Sequence, residues 1–286
     1  MAWVSSCCGV TVSSPEPRSA SLLECRDLEY AYLGRFPALD RVSLTVERGQ
    51  SVALLGANGC GKSTLLKLLD GLLFPAAGSY RAFGTDVTED HLEDDQFSRA
   101  FRGRVGFIFQ NSDAQVFSPT VRDEVAFGPL NMGLEHAAAV ARVDDTLAML
   151  DITGLADRAP YQLSGGEKKR VAIASVLAMN PEVLLFDEPT AALDPRTQHW
   201  MVELIAELHA VGKTIVLATH DLEAVPLVAD RCVVLGEDHR VARDGPTRAV
   251  LEDVTLLQST NLVHAHAHLH AGATAPHAHA HDSGHH

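Results

Sequence analysis

Three nearly unbroken apolar runs, Val52–Leu55, Val183–Phe186 and Ile215–Leu217, frame this chain. Strands covered on both faces in a parallel sheet have that character. They lie within predicted strands Ser51–Leu55, Glu182–Phe186 and Thr214–Thr219, and less uniform runs at Arg104–Phe109 and Cys232–Leu235 complete the set. Between them the hydrophobic period lengthens and predicts helices over Lys62–Leu73, Gly166–Met179, Thr197–Ala210 and Asp221–Ala229. The first carries Leu65, Leu66, Leu68, Leu69, Leu72 and Leu73 as a broad apolar stripe. Pro226, inside the last, should kink that helix or shift its start. Strands alternating with helices predict an α/β domain. From Asn111 to Tyr161 only helical patterns occur, such as His136–Leu150, so a helical insertion is expected there between two core strands. No internal repeat is visible, which predicts one unit rather than a tandem pair.

The two ends break this pattern. Residues 1–20 are rich in Ser, Pro and Gly and are expected to be a disordered extension. They lack a basic segment followed by an apolar one, so no secretory signal is predicted. Residues 21–262 form the expected domain, with the insertion at about 111–163. Residues 263–286 form a low-complexity tail, expected to be disordered, in which HAHAHLHAGATAPHAHAHDSGHH holds nine of the 15 histidines.

Composition narrows the classes. Of 286 residues 46% are hydrophobic and 21% charged, as in globular chains. No apolar stretch approaches the roughly 18 residues of a spanning helix, so any work at a membrane goes through a partner. A net charge of −14 argues against a nucleic-acid ligand, because binding phosphate backbones needs Lys and Arg. The five cysteines (Cys7, Cys8, Cys25, Cys60 and Cys232) are scattered and odd in number, which suits a reducing cytoplasm.

The chemistry begins after the first apolar strand. Gly56, Ala57, Asn58, Gly59, Cys60, Gly61, Lys62, Ser63 and Thr64 match G-x-x-x-x-G-K-[ST] between a strand and a helix. Glycines let backbone N–H groups wrap phosphate oxygens, and the helix adds its positive N-terminal end. Lys62 would reach the β- and γ-phosphates of ATP, and Ser63 would ligate Mg²⁺. The run VLLFDEP then ends an apolar strand in two acids. Asp187 would hold Mg²⁺, and Glu188 would polarise a water for attack on the γ-phosphate. At LSGGEKKR, Ser164, Gly165 and Gly166 open a helix and make a second anion cradle. One phosphate does not need two cradles from one chain, which leaves the second for another subunit.

Together these motifs resemble the ATPase subunits of ABC transporters over roughly Leu22 to Leu257. The resemblance implies an ABC-type P-loop NTPase: a mainly parallel core sheet with flanking helices, an antiparallel β subdomain and a helical insertion. It also implies roles for single residues. Tyr32 would stack on adenine, and Gln110 would contact Mg²⁺ and the attacking water. Asp194 would communicate across a dimer, and His220 would contact the γ-phosphate.

The stretch QNSDAQVFSPTVRDEVAFGPLNMG resembles energy-coupling-factor ATPases, which drive uptake of vitamins or of nickel or cobalt. There it contacts the coupling helices of a transmembrane partner, though Val116, Phe117, Val125 and Phe127 suit internal packing equally well. The expectation is an ATP-hydrolysing subunit at the cytoplasmic face of the membrane, powering an importer for cobalt or nickel, with a vitamin importer or a non-transport ABC ATPase as alternatives. Its partners would be a second ATPase subunit (a copy or a close paralogue), a transmembrane coupling subunit and a substrate-binding membrane subunit. In the tail His264, His266, His268, His270, His277, His279 and His281 are candidate transition-metal ligands, for Ni or Co on the resemblance, since imidazole suits Zn, Cu and Ni and about three-quarters of it is neutral at pH 7. A tail that binds metal incidentally fits the same residues.

Overall fold

A computed structural model describes residues 21–266 and 277–280. The expectations for residues 1–20, Cys7 and Cys8 among them, and for His268, His270 and His281 lie outside the described residues. In chain order the elements begin with β1 (Ser21–Tyr32), β2 (Phe36–Glu47), β3 (Ser51–Leu55), α1 (Lys62–Leu69), β4 (Ala77–Ala82) and β5 (Thr85–Asp86). Next come α2 (Glu89–Glu93), α3 (Asp95–Arg102), β6 (Val105–Ile108), α4 (Val121–Asn131), α5 (His136–Met149), α6 (Gly165–Leu177) and β7 (Val183–Asp187). The chain continues through α7 (Pro195–Ala210), β8 (Thr214–Ala218), α8 (Val225–Val228), β9 (Arg231–Leu235) and β10 (Val241–Pro246). It ends with α9 (Thr247–Leu251), α10 (Val254–Ser259), β11 (Val263–His266) and β12 (His277–Ala280).

A six-stranded sheet in the order β10-β9-β3-β8-β7-β6 carries the site. Its strands run parallel except for β10 on β9. Every residue of β3, β7 and β8 is buried. Alternate residues explain why these strands are apolar throughout. Ala53, Leu55, Leu184, Phe186, Ile215 and Leu217 face a core shared with α4, α5, α6 and α7. Val52, Leu54, Val183, Leu185 and Val216 face a second core under α1 and the other sheet. That other sheet is antiparallel, in the order β2-β1-β4-β5. Emptying such a core position, for example Phe186→Ala, costs about 3–5 kcal/mol.

Several boundaries differ from expectation. α1 stops at Leu69, because Asp70 closes it and Gly71 (φ +68°) turns the chain, so Leu72 is exposed. The helix expected over Asp221–Ala229 shrinks to α8. Asp221 Oδ1 accepts the N–H groups of Glu223 and Ala224 in a turn, and Pro226 occupies the first turn of the helix. Proline has moved the start there, not kinked the helix. The region 111–163 holds α4, α5 and three short 3₁₀ turns, as a helical insertion should. The tail reaches the fold at β11, which pairs antiparallel with β12.

Candidate active site

The carboxyl ends of β3, β7 and β8 lie side by side, and the residues that follow them build the site. Gly56–Gly61 loops from β3 into α1. A Cβ on Gly61 (φ +112°) would stand 2.1 Å from the Ala38 carbonyl, and one on Gly56 would stand 2.5 Å from both Cys60 Sγ and the Leu235 carbonyl. Only glycine fits at either position. Gly61 is also the N-cap of α1, and no side-chain cap hydrogen bond is formed there among the described residues. The leading N–H groups are thus left for a ligand.

Lys62 is buried, and its ammonium folds back on the loop, donating to the carbonyls of Gly56 (2.8 Å) and Ala57 (3.1 Å). Ser63 Oγ donates to Asp187 Oδ1 at 2.8 Å. Burial raises the Asp187 carboxyl above its usual range, against the lowering effects of Ser63, Lys67 and Lys62. Glu188 has φ +45°, a left-handed backbone that a non-glycine residue rarely adopts, and its side chain accepts from His220 Nδ1 at 2.7 Å. That bond raises the pKa of His220, burial opposing it.

A cleft of about 360 Å³ brings together Tyr32, Asn58, Gly59, Gly61, Lys62, Ser63, Thr64, Gln110, Glu188 and His220. Asp187 reaches it through Ser63. Tyr32 stands beside Phe36 at the cleft and its phenol lies 3.1 Å from Thr64 Oγ1. Phe36, Pro37 and Ala38 line the cleft too and had drawn no attention in the sequence. Ser63 and Asp187, with Gln110 on the same cleft, offer oxygen donors of the kind a hard divalent cation takes.

Ser164, Gly165, Gly166 and Asp194 are not among the residues lining this cleft. Ser164 caps α6. Its hydroxyl accepts the Glu167 N–H, while the Glu167 carboxylate accepts from the N–H and the hydroxyl of Ser164 at 2.8 Å each. Asp194 caps α7, its carboxylate accepting from the N–H groups of Arg196 and Thr197.

This geometry suits nucleotide phosphates, and comparison with known proteins agrees. The ABC transporter family profile matches residues 39–191. The chain belongs to the ABC transporter ATP-binding family. It is 49% identical to the nickel import ATP-binding protein NikO of Rhodobacter capsulatus, with 84% of this chain and 95% of that one aligned. The solved structure of cbiO1 from Clostridium perfringens, part of the transporter complex cbiONQ, superposes with a TM-score of 0.72 at 37% identity, covering 85% of this chain and 95% of that one. The dimeric ATP-binding cassette MJ0796, bound to ADP and Pi, superposes with a TM-score of 0.70 at 30% identity, covering 79% and 99%.

As an ABC transporter ATPase, the chain binds ATP and uses its hydrolysis to power transport. One residue that the sequence did not flag ties this cassette together. Lys169, buried on α6, donates to the carbonyls of Phe109 (2.8 Å) and Gln110 (3.3 Å), so α6 holds the loop that carries Gln110. Burial lowers its pKa to about 8, with Asp187 pulling the other way.

Proposed function

We propose that this chain is the ATP-hydrolysing subunit of an energy-coupling-factor type importer for nickel or cobalt. It works as a head-to-tail pair of copies on the cytoplasmic face of the membrane. Among the described residues no helix is long and apolar enough to cross a membrane, so force must pass through a docked partner.

The observation that carries this reading is a second cleft of about 340 Å³, joined to the nucleotide cleft by one loop. Its walls include Phe107, Phe109, Phe117, Phe127, Met132 and Met179. The apolar residues of the insertion divide here. Val125 is wholly buried and belongs to the core, whereas Phe117 and Phe127 are 68% and 51% exposed. Their rings meet edge to face at 5.1 Å. An exposed aromatic pair at an apolar cleft suits a partner helix. The loop between the clefts is tightly held. Gln115 bonds Phe109 N–H and the Phe107 carbonyl, and Glu124 accepts from the N–H groups of Phe117 and Ser118. A shift of Gln110 at the nucleotide therefore carries Phe117 with it.

Within the nucleotide cleft, Tyr32 and Phe36 take the adenine, and the loop Gly56–Thr64 with Lys62 takes the phosphates. Ser63, Asp187 and Gln110 would hold Mg²⁺, which would neutralise developing phosphate charge. Glu188 accepts the proton of the attacking water, and His220 orients that carboxylate through its 2.7 Å bond. Ser164–Gly166 of the second copy closes the site from the far side. Asp194 keeps α7 in place behind that interface. The name of one relative, a nickel import ATP-binding protein, supports nickel as the cargo, and cobalt is kept from the resemblance to energy-coupling-factor ATPases.

The test is uptake of Ni²⁺ or Co²⁺ by vesicles carrying the complete transporter. Phe117→Ala combined with Phe127→Ala should leave ATP hydrolysis by the isolated subunit within about threefold and cut uptake by tenfold or more, because aromatic anchors carry most of the binding energy at such contacts. Undiminished uptake would refute the docking surface, and uptake of a vitamin instead of either metal would refute the cargo.

A further inference from the structure

The turn between β9 and β10 reaches the phosphate loop from behind. Gly236 N–H donates to the Arg240 carbonyl and His239 N–H to the Gly236 carbonyl, which closes the turn. The His239 carbonyl accepts the Asp40 N–H at 3.0 Å, and Arg240 Nε donates to the Asp40 carboxylate at 2.7 Å. The turn is thereby pinned to β2. Within it His239 has φ +64°, in the left-handed region that glycine enters freely and a side chain resists. A histidine held where glycine would sit relaxed points to a use for its ring.

The ring makes a second, independent contact. Its Nδ1 lies 3.3 Å from the Cys60 carbonyl. A carbonyl only accepts, so Nδ1 carries the proton and donates. His239 and Cys60 are not among the residues lining the nucleotide cleft, whereas Gly61, next in the chain, is. The Cys60 carbonyl and the Gly61 N–H belong to one planar trans peptide and point in opposite directions. A bond that draws the carbonyl back toward His239 therefore turns the N–H away from it, to the side of the cleft. Gly61 (φ +112°) has no side chain to fix that plane, so the fixing has to come from outside the loop.

We propose that His239 is a positioning residue for nucleotide binding: by holding the Cys60 carbonyl it presets the Gly61 N–H toward a phosphate of ATP. The inference rests on reading Gly56–Thr64 as the phosphate loop and is independent of the transported cargo.

ATP binding and hydrolysis by the full-length chain test it. His239→Gly removes the ring but relaxes the turn, so its thermal midpoint should not fall below that of the wild type. It should weaken binding of a fluorescent ATP analogue about three- to tenfold, the worth of one hydrogen bond. KM should rise by the same factor with kcat within about twofold, because a preset phosphate donor serves ground and transition states alike. His239→Asn keeps an amide nitrogen near the place of Nδ1, and asparagine tolerates the left-handed backbone. Its affinity should return to within about twofold of the wild type. Unchanged affinity in His239→Gly, an equal loss in His239→Asn, or a fall in kcat at constant KM would each overturn the proposal. Normal ATP binding by Lys62→Ala as well would place the failure in the loop assignment itself, and not in His239 alone.

Discussion

Two helices of this cassette begin at glycine-rich turns, and they begin differently. α1 starts at Gly61, which has no side chain to offer, and no side-chain cap hydrogen bond closes its first turn among the described residues. α6 starts at Ser164 with a full capping box, its hydroxyl and the Glu167 carboxylate satisfying each other's backbone N–H groups. An uncapped helix start in a cleft leaves its N–H groups open to an anion, whereas a capped one already stands satisfied. The α1 start is built into a cleft with Lys62 and Glu188 beside it, while Ser164 and Gly165 are exposed and lie off that cleft. On the proposed function, one chain holds a nearly complete half-site and, elsewhere on its surface, the lid for another. That division is what a head-to-tail pair requires.

The largest effects should come from breaking the α1 half. Lys62→Ala should lower ATP turnover by at least about a hundredfold, since removing one preorganised charge-stabilising donor costs that much. Glu188→Gln should spare ATP binding yet cut hydrolysis by about 10²–10⁴ and leave a long-lived dimer on gel filtration. Rapid turnover in either variant would undo the assignment of that half.

A smaller effect tests the link between the halves. Lys169→Met should reduce turnover about ten- to a hundredfold by releasing the loop that carries Gln110. Nucleotide affinity should change little, as seen by fluorescent-ATP titration. Equal losses in affinity and turnover would mean general damage, not a mispositioned loop.

The smallest effect is on stability. His220 has a pKa raised by its bond to Glu188, so the imidazolium is favoured by folding. Its contribution is fully present below the ordinary value of about 6.5 and is lost as pH rises through the raised folded value. The denaturation midpoints of wild type and His220→Gln should therefore differ more at pH 6 than at pH 8.5. The difference should stay below about 1 kcal/mol, because the His220 side chain is 41% exposed and solvent screens the pair, although Glu188 is buried. A difference that grows with pH would contradict the pairing.

Much of the α1 half was legible in the sequence, because β3, β7 and β8 are buried on both faces and read as unbroken apolar runs ending in the residues that act. β1 and β2 were not, although each spans 12 residues. Their register shifts, one of them beside Asp27 at φ +47°, interrupt the two-residue alternation that marks a half-buried strand. Lys169 was hidden for another reason. Within GEKKR it reads as one of a solvated run, and only the tertiary fold turns it toward the carbonyls of Phe109 and Gln110. Phe117, Val125 and Phe127 were equally apolar on the page. Three-dimensional packing alone divides core from surface there.

The shared site can be tested by mixing two disabled chains. Lys62→Ala breaks the α1 half, and Ser164→Glu places a negative charge where the α6 half must meet a phosphate. Each alone should hydrolyse ATP at background. Random pairing of equal amounts puts half of the dimers in the mixed form, each with one intact composite site, so about a quarter of wild-type ATPase activity should return. Activity that stays at background in the mixture, with mixed dimers demonstrated by tagged pull-down, would contradict a site shared between two copies of this chain.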